Sequence, residues 1–271
     1  SDWAELRALR KDLRTREARL INEMLSGKRS IVASTLVGVG SKHMKDLQFD
    51  VLIVDEATQA LDAELWIAIK KVRGKIILVG DHHQLSPMVL DHNKPYIGLF
   101  EKLISRDKKS SSVMLCRQYR MNERLMGWSN ERFYNGFLYA DESVKDIQIS
   151  NQPVLKFIDT TGQMMWERGE DGAIWNEHEV GLVIHELEQL CTTTCSIAVI
   201  TPYAAQVDLI KEKMSDGFMN TADSNNNIYV GTVDGFQGRE ADAVIISMVR
   251  SNPVNECGFL ADARRLNVAM T

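Results

Sequence analysis

Three features of this 271-residue sequence predict an α/β fold built on parallel sheets. Short β-branched runs alternate with stretches of helical periodicity, the runs are almost continuously apolar, and polar residues gather directly behind them. Alternating strands and helices indicate crossover units that lay strands parallel, and continuously apolar strands are covered on both faces. In such sheets ligands collect beyond the carboxyl ends of the strands, so the residues behind each run are where chemistry is expected.

Taken in order, the chain opens with Leu6, Leu13 and Leu20 recurring every seven residues, joined by Leu9 and Met24. This spacing predicts an amphipathic helix that stops near Gly27, with its arginines on a solvated face. Strands are predicted at "SIVAST", "DVLIVDE", "KIILVGD", "SVMLCRQYR", "VLKFIDT", "SIAVITPY", "IYVGTVDGF" and "AVIISMV". Helices such as "NERLMGWSNERFY" and "NEHEVGLVIHELEQL" fall between them. The charged stretch "RDKKSSS" at 106–112 predicts a domain boundary, and "DGFMNTADSNNN" from Asp216 a surface loop. No internal repeat is evident.

With 44% hydrophobic residues the chain can bury a substantial core, enough for one large or two ordinary domains. No apolar run reaches membrane-span length and the N-terminal stretch is charged, so an intracellular protein of the cytoplasm or nucleus is expected. Cys116, Cys191, Cys195 and Cys257 lack zinc spacing and are expected to be reduced thiols. The net charge of −5 excludes a generally basic surface, so any nucleic-acid binding must come from local sites.

The strand "VLIVDEA" delivers Asp55 and Glu56 to its carboxyl end. Asp55 can hold a hydrated Mg²⁺ and Glu56 can orient or deprotonate a water. Equally, both can be the acidic first turn of a helix covering "ATQALDAELWIAIKK", where they would complement the helix dipole. "KIILVGDHHQLSP" places Gln84 just past the next strand, where an amide can bond a phosphate oxygen and a water. His82 and His83 are adjacent, point apart and lack a third ligand, which argues against a metal. "LCRQYRMNE" supplies Tyr119, a flat face for a base, and Arg120, a cation suited to charge on a transferring phosphoryl group. "GTVDGFQGREADAVIISMVRSN" sets Gly235, Gly238, Arg239 and Glu240 before a buried strand. Its glycines permit close approach to a phosphate or a tight turn, and Glu240 can accept from ribose hydroxyls.

Together these stretches resemble superfamily 1 helicases, in the branch of the nonsense-mediated-decay helicase, senataxin and the immunoglobulin mu-binding helicase, and most of all the last with its DNA-polymerase-α-associated relatives. "VDEATQA" is similar to motif II, "GDHHQLSP" to motif III, "QYRMN" to the opening motif of a second RecA-like domain, "GTVDGFQGRE" to motif V and "ARRLNVAMT" to the start of motif VI. "IVASTLVGVGS" and "VITPYAAQVDLI" match in place and order. Ser86-Pro87 stands where the family usually has Pro-Pro, and Asn122 where it often has His. No G-x-x-x-x-G-K-[ST] occurs among these residues, and "GVGSK" has the wrong spacing.

The resemblance implies two RecA-like domains of P-loop NTPase type: a helical insertion at 1–28, the rear of domain one at 29–110, and domain two at 111–271. It implies a monomeric, membrane-free motor in which ATP hydrolysis drives movement along single-stranded DNA or RNA, 5′ to 3′, with this segment inactive alone. Asp55 would hold Mg²⁺ through water, Glu56 activate the hydrolytic water, Gln84 sense the γ-phosphate and Arg120 act as an arginine finger. Tyr119 would stack near the adenine, and Gly238, Arg239 and Glu240 would contact the nucleotide. Ser34, Thr35, Thr201, Pro202, Tyr203, Thr232 and Val233 match positions that touch the strand, and Tyr203 is expected to stack on a base unless it packs in the core. The rival expectation is a non-catalytic nucleic-acid-binding or protein-interaction scaffold.

Overall fold

The computed structural model describes residues 2–26, 31–87, 89, 96–106, 111–170, 173–191, 195–216 and 228–271. The end of the first helix near Gly27, most of the polar stretch at 106–112 and nearly all of the loop that begins at Asp216 lie outside these residues. The chain forms two compact units, Ser1–His82 with Ser86–Ser112, and His83–Leu85 with Val113–Thr271. Both contain parallel strands joined through helices, the α/β class expected.

In the first unit the heptad stretch forms α1 (Asp2–Ser26), and its Leu6, Leu9, Leu13, Leu20 and Met24 are exposed. A short helix α2 (Leu36–Val39) precedes β1 (Phe49–Val54), which pairs in parallel with β2 (Val72–Leu78) across the crossover helix α3 (Asp62–Ile69). Val54, Ala57, Ala60, Leu65 and Phe100 make the core, the last from α4 (Leu99–Arg106). Asp62 ties the two helices together, accepting from the Leu99 amide at 2.6 Å and from Lys102 Nζ at 2.8 Å. Burial opposes its charge, but these bonds and one with Tyr96 outweigh it and hold the carboxyl below its usual range.

The strands of this unit keep much apolar surface in the open: Val51, Ile53, Ile76, Ile77 and Val79 are exposed, Ile53 by 65%. Contiguous apolar surface on a sheet binds apolar probes. The 271-residue chain is expected to take up an apolar fluorescent dye while folded. Ile53→Lys should lower that uptake and shift stability by no more than about 0.5 kcal/mol, as for a surface substitution. A folded chain that takes up no dye would contradict the exposure.

In the second unit β7 (Ile197–Thr201) lies between β8 (Ile228–Thr232) and β9 (Ala243–Ile246), all parallel, and every residue of β7 is buried. Ile197 and Val199 pack with Val180, Val183 and Leu187 of α6 (Glu177–Leu190) and Ile210 of α7 (Ala204–Asp216). On the other face Ala198 and Ile200 meet Val233 of the short helix α8 (Val233–Phe236). This two-sided burial is what a continuously apolar strand requires. The chain behind β9 is held by Glu179, whose carboxylate accepts from Ser247 Oγ at 2.6 Å and from the Val249 amide at 2.9 Å. Those bonds fix Val249 at φ +70, a conformation a β-branched residue rarely adopts.

Three strand expectations are corrected. Residues 31–35 and 154–160 pair with no strand, and "SVMLCRQYR" pairs only at β3 (Arg117–Gln118), in parallel with β4 (Tyr139–Ala140). Local preference marks a strand only where a neighbour completes its ladder. Without one the apolar side chains stay in water, as for Phe157, 86% exposed. An antiparallel pair, β5 (Arg168–Glu170) and β6 (Ala173–Trp175), lies outside the expected strands, although the sequence carries Asp-Gly between them. Helices α5 (Glu123–Phe133) and α9 (Ala263–Met270) complete the unit.

Candidate functional site

In the first unit the turn behind β1 is stitched to the end of β2. The Val79 amide donates to Val54 O and the Ala57 amide to Val79 O, both at 2.8 Å. Asp55 and Glu56 are thereby held in a turn, and α3 begins only at Asp62, where the Glu64 carboxylate accepts from the Leu61 amide at 3.1 Å. The helix start is served by Asp62 and Glu64, so the reading of Asp55 and Glu56 as its first turn does not hold. Glu56 sits at φ +50, which costs on the order of 1–3 kcal/mol for a residue with a side chain. Its amide donates to Asp55 Oδ1 at 3.0 Å, while Gln59 donates to Glu56 twice, through its amide to Glu56 O and through Nε2 to Oε2, each at 3.0 Å.

Gly80, the glycine of "GDHHQLSP", allows the close approach of β2 to this turn. A Cβ there would lie 3.1 Å from both Thr58 N and Thr58 Cγ2. Thr58 itself is buried, and its hydroxyl has no hydrogen-bond partner. Gln84 belongs with His83 and Leu85 to the second unit and is half-buried. Beside it the His83 ring meets Tyr134 edge-on at 5.5 Å. Among the described residues no cluster of three metal-ligating side chains occurs.

In the second unit Gln118 braces the loop behind β3. Its Oε1 accepts from the amides of Arg120 at 2.7 Å and Met121 at 2.9 Å, and its Nε2 donates to Met121 O at 2.7 Å. Sequence reading assigned Gln118 no role. Asn122, the departure from His, caps α5 by accepting from the Arg124 amide at 2.9 Å. The Tyr119 ring is 61% exposed. Arg120 donates through Nε to Glu240 Oε2 at 3.3 Å and through a terminal nitrogen to Thr271 O at 3.0 Å. The expected ribose carboxylate thus pairs with the expected arginine finger. Both are substantially exposed, so the pair is worth about 0–1 kcal/mol and exchanges readily for another partner. Arg117 lies over the Tyr139 ring at 5.3 Å, and hydrogen bonds to Tyr139 and Tyr119 push its guanidinium pKa further up.

Behind β8, Gly238 has φ +76, so a turn accounts for it without a ligand, and Arg239 lies over the Tyr229 ring at 5.0 Å. A cavity of about 160 Å³ lined by Tyr229, Phe236, Arg239–Ala241 and Ser196–Ala198 is below the usual size of a ligand pocket, roughly 300–1,000 Å³.

The residues expected at the strand divide into two groups. Thr35 and Thr232 act alike, each capping a short helix by accepting from the amide three residues on, Gly38 at 3.1 Å and Gly235 at 3.2 Å. T-x-x-G occurs at both places, and a Cβ on Gly38 would lie 2.9 Å from Thr35 Oγ1. Ser34 is exposed and Pro202 half-buried. Thr201, Tyr203 and Val233 instead have buried side chains, so these side chains present no surface on which a base could stack. Tyr203 is 2% exposed, and its hydroxyl accepts from Arg250 at 3.2 Å. Arg250 is anchored by Glu167 Oε2 at 3.0 Å, and this hydrogen bonding raises its pKa, the bond with Tyr203 most of all. The Tyr203 ring is core, not a stacking surface.

Two sequence families, each described as an AAA domain, match the chain over residues 1–92 and 97–271. The chain is 37% identical to DNA polymerase alpha-associated DNA helicase A of Schizosaccharomyces pombe, over 99% of its own length and 42% of that protein's. It is 38% identical to DNA-binding protein SMUBP-2 of Rattus norvegicus, over 98% of this chain and 28% of that one. With ATP-dependent helicase NAM7 of Saccharomyces cerevisiae it shares 34% identity over 96% of its length and 27% of the relative's. The chain therefore spans less than half the length of these relatives. Matched along nearly its whole length by AAA domains and by these helicases, the chain belongs to the AAA-domain family, in the superfamily 1 helicase branch.

Proposed function

We propose that this chain carries part of an ATP-driven helicase that moves along single-stranded DNA or RNA, its two units being RecA-like domains with boundaries near 28 and 110. The observation that carries this reading is the carboxylate pair behind β1. Asp55 and Glu56 stand clear of the following helix in a turn held by β2, with Glu56 in a costly conformation that a capping role does not require. Asp55 has one oxygen engaged by the Glu56 amide and a second to offer, a donor set that fits Mg²⁺ held mainly through its waters. When bound, Mg²⁺ would neutralise charge on the phosphates. The chain's own residues do the rest. Glu56 takes the proton of the attacking water, Gln84 bonds the terminal phosphate, and Arg120 exchanges Glu240 for the charge that develops there. Tyr119 offers its exposed ring to the base, while Gly238, Arg239 and Glu240 line the sugar and phosphates.

The paired Thr35 and Thr232 caps support two similar grips, one on each unit, with Ser34 and Pro202 beside them. Hydroxyls and backbone amides hold phosphates without reading sequence, so little sequence preference is expected. The test is ATP hydrolysis and duplex unwinding by the full-length protein, with and without single-stranded nucleic acid. Turnover stimulated by the strand is expected. Arg120→Ala should lower kcat by roughly 10³-fold, as for other arginine fingers. A full-length protein that binds strands without hydrolysing ATP would instead be a scaffold, and the proposal would fall.

A further inference from the structure

We infer that Gln59 is a positioning residue for Glu56, acting through the hydrogen bond from its side-chain amide to one carboxylate oxygen. The inference rests on the reading of Glu56 as the group that activates water. Gln59 closes the turn twice, its backbone amide on Glu56 O and its Nε2 on Glu56 Oε2, both at 3.0 Å. Its side chain is exposed, so it has no packing role. An exposed glutamate otherwise samples many rotamers, and holding it in one geometry lowers the cost of reaching the reactive arrangement. With Oε2 engaged, Oε1 is left to take the proton. As the water oxygen bonds to the terminal phosphorus, that proton passes to Oε1, the bond to the bridging oxygen breaks, and its electron pair leaves with the diphosphate. The amide also stabilises the carboxylate against turning its other oxygen to the water.

The geometry of the turn makes the assignment specific to this residue. Asp55 Oδ1 already accepts the Glu56 amide, and the backbone of Ala57 is committed to Val79. Thr58 is buried and lies against Gly80. Of the residues in the turn, Gln59 supplies the side-chain donor to the Glu56 carboxylate.

The test uses the full-length protein with saturating single strand, comparing Gln59→Met, which keeps length and loses the donor, with Gln59→His, which retains an N–H. Gln59→Met is expected to lower kcat by roughly 10- to 100-fold, the range for a lost hydrogen bond to a charged group, with KM for ATP and the melting temperature unchanged. Gln59→His should recover most of the loss. In a Glu56→Gln background, Gln59→Met should cost nothing further under single-turnover conditions, because its effect runs through the carboxylate. Parental kcat in Gln59→Met, or the same loss in the Glu56→Gln background, overturns the inference while leaving the helicase reading intact. A wild-type protein without ATP turnover would remove the helicase reading first.

Discussion

Glu56→Gln in the full-length protein should bind ATP at parental affinity and lose roughly 10²- to 10⁴-fold in turnover, the usual contribution of a general base. The amide is nearly isosteric, so the turn survives: the residue keeps its φ of +50, its amide still donates to Asp55, and its carbonyl oxygen can still accept from Gln59. The basic oxygen proposed to take the proton is what disappears. Because Asp55 is untouched, the Mg²⁺ hold and nucleotide affinity should remain. Equilibrium nucleotide binding beside steady-state hydrolysis separates the two effects, since an interaction needed only in the transition state lowers kcat and spares binding. Turnover at the parental rate would show that the water is activated elsewhere.

Tyr203→Ala should destabilise the 271-residue chain by about 3–5 kcal/mol, the range for truncating a buried aromatic side chain. The ring is buried and its hydroxyl is bound by Arg250, which is itself anchored by Glu167 and carried by a chain segment held at Val249 in the left-handed region. Truncation opens a cavity and leaves one guanidinium donor without its acceptor. Tyr203→Phe keeps the ring, removes the hydroxyl that accepts from Arg250, and should cost roughly 1–3 kcal/mol. Urea denaturation measures both. The decisive comparison is single-strand affinity, which Tyr203→Ala should leave unchanged at temperatures where it is folded. A stable Tyr203→Ala with weakened strand binding would restore the stacking role that its burial argues against.

Much of the fold was legible before any coordinates. The apolar runs that became β1, β2, β7, β8 and β9 are marked by continuous β-branched residues, and the helices between them by their period. The position of Asp55 and Glu56 at a strand's end was legible for the same reason: an apolar run that breaks into two carboxylates must end where water begins. Whether those carboxylates cap a helix was not. That depends on where α3 starts, and Ala57 and Val79 decide it by pairing across a separation of 22 residues in sequence. The segments at 31–35 and 154–160 have strand composition without a ladder, because pairing belongs to the neighbour as much as to the segment.

The same division runs through the candidate site. T-x-x-G determines the caps at Thr35 and Thr232 by itself, since the hydroxyl that accepts and the amide that donates are three residues apart. Tyr203 carries no such local signal. A tyrosine behind a strand can face a ligand or the core, and the choice was made by Arg250 and Glu167, brought to it from distant parts of the chain. Sequence by itself determined the family, the continuously apolar strands β1, β2, β7, β8 and β9 and the short-range caps, because those are written in neighbours along the chain. Only the tertiary structure decided which polar side chains are buried, Tyr203 and Thr201 among them, and which, like Glu56 and Tyr119, are left to face solvent, because burial is set by contacts between residues far apart in sequence.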